Sequence, residues 1–193
     1  VDNRTFFNRF KLSVDKFVKR IVATHGLSGI EDLAPFTSNA LLGELALQAC
    51  ENGDIEDLED LAPFLESEMV DKLVEKILET HDLADIEDLA PFASEERLGE
   101  LVMQACENGK IDDLDSILPF LKEKTVDKLA IQLEQTHGIS AIEDFAPFLS
   151  QETLTELATK TAKNGNIDDL TILAPFIDGN FLGEILLKSF SKQ

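Results

Sequence analysis

Residues 54–81 read DIEDLEDLAPFLESEMVDKLVEKILETH, and this block of 28 residues decides the fold. Near its middle sits Pro63-Phe64. The same dipeptide recurs as Pro35-Phe36, Pro91-Phe92, Pro119-Phe120, Pro147-Phe148 and Pro175-Phe176, which accounts for all six prolines. Each lies 28 residues from the next. Ala precedes five of them, and Leu118 takes that place in the fourth. A fixed period of this length marks a repeat architecture, in which each unit hides its apolar side only against its neighbours.

A second period overlies the first. Alternate blocks are entered through Thr24-His25, Thr80-His81 and Thr136-His137, and the others through Asn52-Gly53, Asn108-Gly109 and Asn164-Gly165. The sequence therefore also repeats every 56 residues. Duplication of a two-block unit explains this, and relatives with odd repeat numbers would argue against it.

Within a block the pattern predicts helix, break, helix. Asp54 caps a short first helix with Ile55, Leu58 and Leu61 as its apolar positions, and Glu56 and Asp57 sit where the helix dipole favours acids. Pro63 ends it and pushes Ala62 toward an extended conformation. This helix is expected to run ~7 residues, partly 3₁₀, and the second ~13. The second is capped at Ser38, Glu66, Ser94, Lys122, Ser150 or Asp178, four of them good cappers. Leu42, Leu45, Ala46, Ala49 and Cys50 then form an amphipathic stripe, repeated at Val70, Leu73, Val74, Ile77 and Leu78 and at Leu98, Leu101, Val102, Ala105 and Cys106. Gly or His is expected in the left-handed position that ends it. Each Pro-Phe aromatic is expected to anchor the core. Gly43, Gly99 and Gly183 fall inside helices, where a close helix crossing would justify their cost.

The expected fold class is all-α: a right-handed α-solenoid of six 28-residue helix pairs. Residues 1–26 are expected to form an N-terminal capping helix, and residues 27–193 one continuous repeat domain. Val14, Phe17, Val18, Ile21 and Val22 occupy the columns of the longer helices. Residues 1–13 depart from the repeat and add Phe6, Phe7 and Phe10. At the other end, Phe181, Ile185, Leu186, Ser189 and Phe190 make a helix whose bulk suits a closing face or a point where a partner continues the stack.

Composition narrows the function. The 193 residues carry a formal net charge of −21, which repels nucleic acid and anionic lipid. The charge is uneven. Arg4, Arg9, Lys11, Lys16, Lys19 and Arg20 face only Asp2 and Asp15 in the first 20 residues, a net of +4, so the remainder carries −25. No apolar run approaches the ~18 residues of a membrane span, and no secretory signal pattern is visible. A soluble protein is expected, with the cytoplasm favoured. The chain begins at Val1 rather than Met, as a processed form or a fragment would. Two cysteines are too few for a disulfide scaffold.

The chemistry-bearing residues read mostly as structure. His25, His81 and His137 lie 56 residues apart. Packed helices ~8–10 Å apart would hold them too far from one another to share a metal. A helix C-terminus, where His⁺ complements the dipole, is the simpler role. Cys50 and Cys106 fall on the apolar stripe and read as buried thiols. Acidic pairs recur in every block: Glu31-Asp32, Glu56-Asp57, Glu87-Asp88, Asp112-Asp113, Glu143-Asp144 and Asp168-Asp169. Calcium-loop spacing is absent. Their stacking would form an acidic ribbon that selects a protein or peptide with a basic patch. Phosphate-loop, dinucleotide, nucleophile-elbow and zinc motifs are all missing, so neither a cofactor nor an enzymatic reaction is expected.

The block structure resembles helical-repeat solenoids such as HEAT and armadillo repeats, with a period nearer the compact leucine-rich-variant type. The wording DLAPFLESEMVDKLVEKILE, residues 60–79, is similar to repeats of bacterial envelope-stress proteins of the LiaX/YvlB kind. The solenoid resemblance implies a non-catalytic scaffold with an extended binding surface. The alternatives are a structural module associating head-to-tail through its basic, Phe-rich N-terminus, and an engineered repeat without a natural ligand. A DNA mimic would suit the acidity.

Overall fold

The computed structural model describes residues 3–110, 112–164 and 169–190. Its α-helical segments are α1 (Asn3–His25), α2 (Asn39–Asn52), α3 (Ser67–Leu78), α4 (Glu95–Glu107), α5 (Leu114–Ile117), α6 (Glu123–His137), α7 (Gln151–Lys163), α8 (Leu170–Leu173) and α9 (Gly179–Phe190). No strand occurs among the described residues. The chain is an all-α tandem repeat.

Spacing decides which helix type each half of a block adopts. Before Pro-Phe, apolar residues recur at every third position, as in Leu27, Ile30, Leu33, Phe36 and in Leu83, Ile86, Leu89, Phe92. Three residues per turn is the 3₁₀ period, so these side chains eclipse along one line. The stretches fold accordingly as 3₁₀ segments: Leu27–Phe36, Glu56–Leu58 with Ala62–Phe64, Ala84–Ile86 with Ala90–Phe92, and Ile139–Phe148. In two blocks a single α turn, α5 or α8, leads into a 3₁₀ turn at Leu118–Phe120 or Ala174–Phe176. The longer helices follow the 3.6-residue stripe. Val70, Leu73, Val74 and Ile77 of α3 are buried, as are Leu98, Leu101, Val102 and Ala105 of α4.

Two sequence expectations need correction. Ala62 is not extended; it opens a 3₁₀ turn that includes Pro63, and Leu65 (φ −88°, ψ 153°) is the first extended residue. Thr37, Ala93, Leu121, Leu149 and Ile177 repeat this conformation. Proline is tolerated in a first turn because its missing N–H would have no intrahelical partner there. The break therefore falls after phenylalanine. Consequently none of the Pro-Phe aromatics is a fully buried core anchor, and Phe64, Phe92 and Phe120 are half-buried. Phe36 is 51% exposed and Phe148 and Phe176 are 37% exposed. The residue before proline is the buried one, at Ala34, Ala62, Ala90, Leu118 and Ala146. Phenylalanine is the last residue of its turn, where the chain leaves the layer.

The helix ends also differ from expectation. No histidine adopts positive φ; the glycines that follow His25 and His137 do, Gly26 at φ 77°, ψ −169° and Gly138 at φ 86°, ψ 174°, outside the αL region. Gly53 and Gly109 close α2 and α4 in another geometry. Asp54 N–H donates to Ala49 O at 2.9 Å, and Lys110 N–H to Ala105 O at 3.0 Å, the pairing of a Schellman motif. No glycine follows α3. Lys110 Nζ instead donates to Leu78 O at 2.8 Å and to His81 O, satisfying carbonyls that a helix C-terminus leaves open.

The 56-residue period has a structural cause. Ser38 N–H and Oγ donate to the two oxygens of Asp15 at 2.9 and 2.7 Å. The same pair forms between Ser94 and Asp71 at 2.8 and 2.6 Å. Ser150 N–H donates to Asp127 at 3.0 Å. One helix thus clamps the N-terminus of the next long helix. At the aspartate position the intervening helices carry Gly43, Gly99, Thr155 and Gly183. Gly43 is buried, and a Cβ built on it would lie 2.7 Å from Met69 Cε, so a bare backbone replaces the clamp with a close helix contact.

The chain divides into two compact units, Val1–Asp113 and Leu114–Gln193. In the first, α1 packs on the Leu27–Phe36 segment, α2 on α3, and α3 on α4. In the second, α6 packs on the Ile139–Phe148 segment, α7 on α8 and α9, and α8 on the Ile139–Phe148 segment. In both units, each such layer is completed by the one beside it.

Candidate interaction surface

The described members of the acidic pairs lie on or beside the 3₁₀ segments or, in the fourth and sixth blocks, just before α5 and α8. Glu31, Asp32, Glu56, Glu87, Asp88, Asp112, Asp113, Glu143 and Asp144 are exposed, and Asp57 and Asp169 are half-buried. Asp168 lies outside the described residues. Asp113 is the one described non-glycine residue with positive φ, at 59°.

These pairs are not in one register. Glu31-Asp32, Glu87-Asp88 and Glu143-Asp144 stand four and three residues before proline; Glu56-Asp57, Asp112-Asp113 and Asp168-Asp169 stand seven and six before it. The second set is shifted by one 3₁₀ turn. The in-register acids of the second and fourth blocks are Glu59, Asp60 and Asp115, which the sequence reading passed over. Their signal was the spacing itself: Glu31, Glu59 and Glu87 are 28 residues apart, as are Asp32, Asp60 and Asp88.

Electrostatics supports this register in the first unit. Glu59 has its carboxyl pKa raised, first by the negative charge of Asp88 and then by a hydrogen bond with it. Two acids 29 residues apart in sequence are therefore held together on an exposed surface. Several ion pairs of the described residues lie elsewhere. Lys19, Lys76, Arg97, Lys110 and Lys160 pair with Glu44, Glu51, Glu75, Glu100, Asp82 and Glu134, all off this ladder.

The other candidates are locally satisfied. Nδ1 of His25, His81 and His137 lies 2.6, 2.8 and 2.7 Å from Oγ1 of the preceding threonine. Thr24 and Thr136 also donate their hydroxyls to backbone carbonyls one turn back, which leaves Nδ1–H as the donor to the oxygen at these two sites. The threonine thus fixes the ring tautomer. Cys50 and Cys106 are free thiols, half-buried. Burial pushes Cys106 up to about 11 and raises Cys50 as well, so neither is an activated nucleophile. Among the described residues, no group of three or more His, Cys, Asp or Glu is placed to hold a metal ion. An open depression of about 550 Å³ follows α7, bordered by Glu152, Thr155, Glu156, Thr159 and Lys160 of that helix. No described helix is long and apolar enough to cross a membrane.

No protein-family model matches the chain, and no curated protein matches it. Among solved structures it is similar to a circular tandem repeat protein with novel repeat topology and enhanced subunit contact surfaces. The identity is 21% over 90% of this chain and 37% of that one, with a TM-score of 0.19. The chain thus spans little more than a third of that protein's length. So low a score carries no weight for the fold, which rests on the 28-residue repeat and the element order.

Proposed function

We propose that this chain is a non-catalytic protein–protein interaction scaffold, a right-handed α-solenoid of six 28-residue helix pairs presenting an extended acidic surface. The residues that carry binding are the acids of the first half of each block: Glu31, Asp32, Glu56, Asp57, Glu87, Asp88, Asp112, Asp113, Glu143, Asp144, Asp168 and Asp169, joined by Glu59, Asp60 and Asp115. The partner is a protein or peptide with a basic patch. Nucleic acid is disfavoured by the same field.

The observation that carries this reading is the exposed register of Glu31, Glu59 and Glu87, 28 residues apart, with which the raised Glu59 pKa, caused first by the charge of Asp88, agrees. Like charges held together on a surface oppose folding, and a cationic side chain placed between them relieves that repulsion. A protein that stacks acids in this way, with Lys19, Lys76, Lys110 and Lys160 paired to other acids, offers a stronger potential to a basic partner than scattered charges would.

The test compares two variants of equal charge in capture of partners from the native source. One carries Gln at Glu31, Glu59 and Glu87; the other carries Gln at the exposed Glu68, Glu96 and Glu107. Loss of the captured protein in the first variant alone, together with weaker capture as salt rises, is the expected result. Equal capture by both variants would overturn the assignment.

A further inference from the structure

A three-residue period gives a segment three lines of side chains, and in the Leu27–Phe36 segment these meet different surroundings. Leu27, Ile30, Leu33 and Phe36 form a line that starts in the core and ends at solvent. On the second line Glu31 precedes the buried Ala34. The third line, Gly29, Asp32 and Pro35, is exposed throughout. Residues three apart eclipse one another, so the Asp32 carboxylate stands over the Pro35 ring.

The next two blocks repeat this. Leu61 N–H donates to Leu58 O and Phe64 N–H to Leu61 O, at 3.1 and 2.9 Å. Leu89 N–H donates to Ile86 O and Phe92 N–H to Leu89 O, at 3.1 and 3.0 Å. Asp60 is thereby set over Pro63 and Asp88 over Pro91. Pro63, Asp88 and Pro91 are exposed, and Asp60 is half-buried. A phenylalanine with solvent access follows each proline: Phe36 is 51% exposed, and Phe64 and Phe92 are half-buried. In the second unit the aspartate position holds Ser116 and Ile172 on either side of Asp144, so only the first unit keeps the trio in consecutive blocks.

The three trios are neighbours. The Leu27–Phe36 segment packs on Glu56–Leu58. Asn39 Nδ2 donates to Glu66 Oε1, two residues beyond Phe64, at 2.9 Å. Asp71 of α3 holds Ser94, two residues beyond Phe92. Because α2 packs on α3 and α3 on α4, the trios recur at the ~8–10 Å of packed helices.

A carboxylate over a proline ring, beside a phenylalanine, matches one cation better than others. The planar fork of arginine fits a carboxylate, its stem covers apolar surface, and its guanidinium stacks on an aromatic ring. Lysine offers a compact, strongly hydrated charge in its place. Spacing selects the backbone. A polyproline II chain has three residues per turn and rises ~3.1 Å per residue, so every third side chain faces the same way ~9 Å further on.

We infer that the trios opened by Asp32, Asp60 and Asp88 are three consecutive arginine subsites, and that they hold an extended segment of a partner protein with arginine at every third residue. This rests on the acidic-surface reading above and narrows it, since that reading asks only for positive charge.

Titration of the full chain with three nine-residue peptides of equal charge tests the inference. The first is three Arg-Pro-Pro units, the second three Lys-Pro-Pro units, and the third has the composition of the first with its arginines adjacent. The first is expected to bind about tenfold more tightly than either of the others. Combining Asp32→Ser, Asp60→Ser and Asp88→Ser, with the residue that the fourth block already carries as Ser116, should erase that advantage. Gln at Glu68, Glu96 and Glu107 removes as much charge, and should weaken all three peptides alike and keep the advantage. Far-UV circular dichroism checks that helix content is kept, and asparagine replaces serine in a variant that loses it. Equal binding of the three peptides, or an advantage that survives loss of the aspartates, overturns the inference and leaves the acidic surface standing. Failure of all three to bind also overturns it, while the acidic surface is judged separately by capture with Gln at Glu31, Glu59 and Glu87.

Discussion

Asp71 on α3 accepts from both Ser94 N–H and Ser94 Oγ, at 2.8 and 2.6 Å, and so holds the start of α4 from the helix before it. A carboxylate at a helix N-terminus is favoured by the dipole and satisfies an open backbone donor. Losing a cap of this kind costs about 0.5–2 kcal/mol. Asp71→Ala and Ser94→Ala are each expected to destabilise by about 1–2 kcal/mol. Because they remove one shared contact, the double variant should fall short of their sum. Urea denaturation of the four proteins measures this, and strict additivity would show that the contact contributes nothing.

Glycines in this fold separate by backbone conformation. Gly53 and Gly109 have φ of 83° and 85°, which alanine adopts at a cost of about 1–2 kcal/mol. Gly183 lies inside α9 with open space where a Cβ would go. Gly53→Ala and Gly109→Ala should lower the thermal midpoint, and Gly183→Ala should raise it, by about 0.5–1 kcal/mol in stability. Calorimetry that gave all three the same sign would contradict the helix-end geometry.

The Glu59–Asp88 contact makes a signed pH prediction. A carboxyl whose folded pKa is raised binds its proton more tightly in the folded state than in the unfolded one. Its stabilising contribution is complete below the ordinary glutamate range and is lost as pH rises through the raised value. Glu59→Gln removes the repulsion, so it should raise the melting temperature at neutral pH. The gain should vanish near pH 3.5, where the native carboxyl is also protonated. A melting-temperature difference that persists there would mean the two side chains do not meet.

Cys106 should be slow chemistry. With its thiol pushed up to about 11 by burial, little thiolate exists at pH 8. Alkylation of the folded chain at pH 8, followed by peptide mass mapping, should find Cys106 labelled far more slowly than a free thiol and accelerating as pH is raised. Labelling at the rate of glutathione would place this side chain in water.

Much of the fold was legible because repetition averages over noise that a single block would leave. Six Pro-Phe pairs fixed the block length, and the stripe at Val70, Leu73, Val74 and Ile77 is buried as its spacing requires. The first half of each block was harder. Ile55, Leu58 and Leu61 fit an α-helix and a 3₁₀ helix about equally over so few residues. Only the continuation of the three-residue period to Phe64 separates them. Phe36 misled because aromatic character predicts burial, while position at the end of a turn decides it. The acid register suffered from the same ambiguity, since Glu56 and Glu59 differ by one 3₁₀ turn. The Asp71–Ser94 clamp was visible only as a 23-residue spacing. Knowing that those residues meet requires knowing which helix ends face each other.

The central claim is that neighbouring blocks complete one another's core and that the clamp makes two blocks the true unit. Paired deletions within the first compact unit test it most directly. Removing residues 54–109 takes out 56 residues and joins Gly53 to Lys110, as Gly109 was joined before. Removing residues 54–81 takes out 28 and sets Gly43 where Ser94 needs Asp71. Circular dichroism and urea denaturation should find the longer deletion as helical per residue as the parent and still cooperative, and the shorter deletion markedly less stable. Equal damage from both, or a longer deletion that fails to fold, would contradict the account.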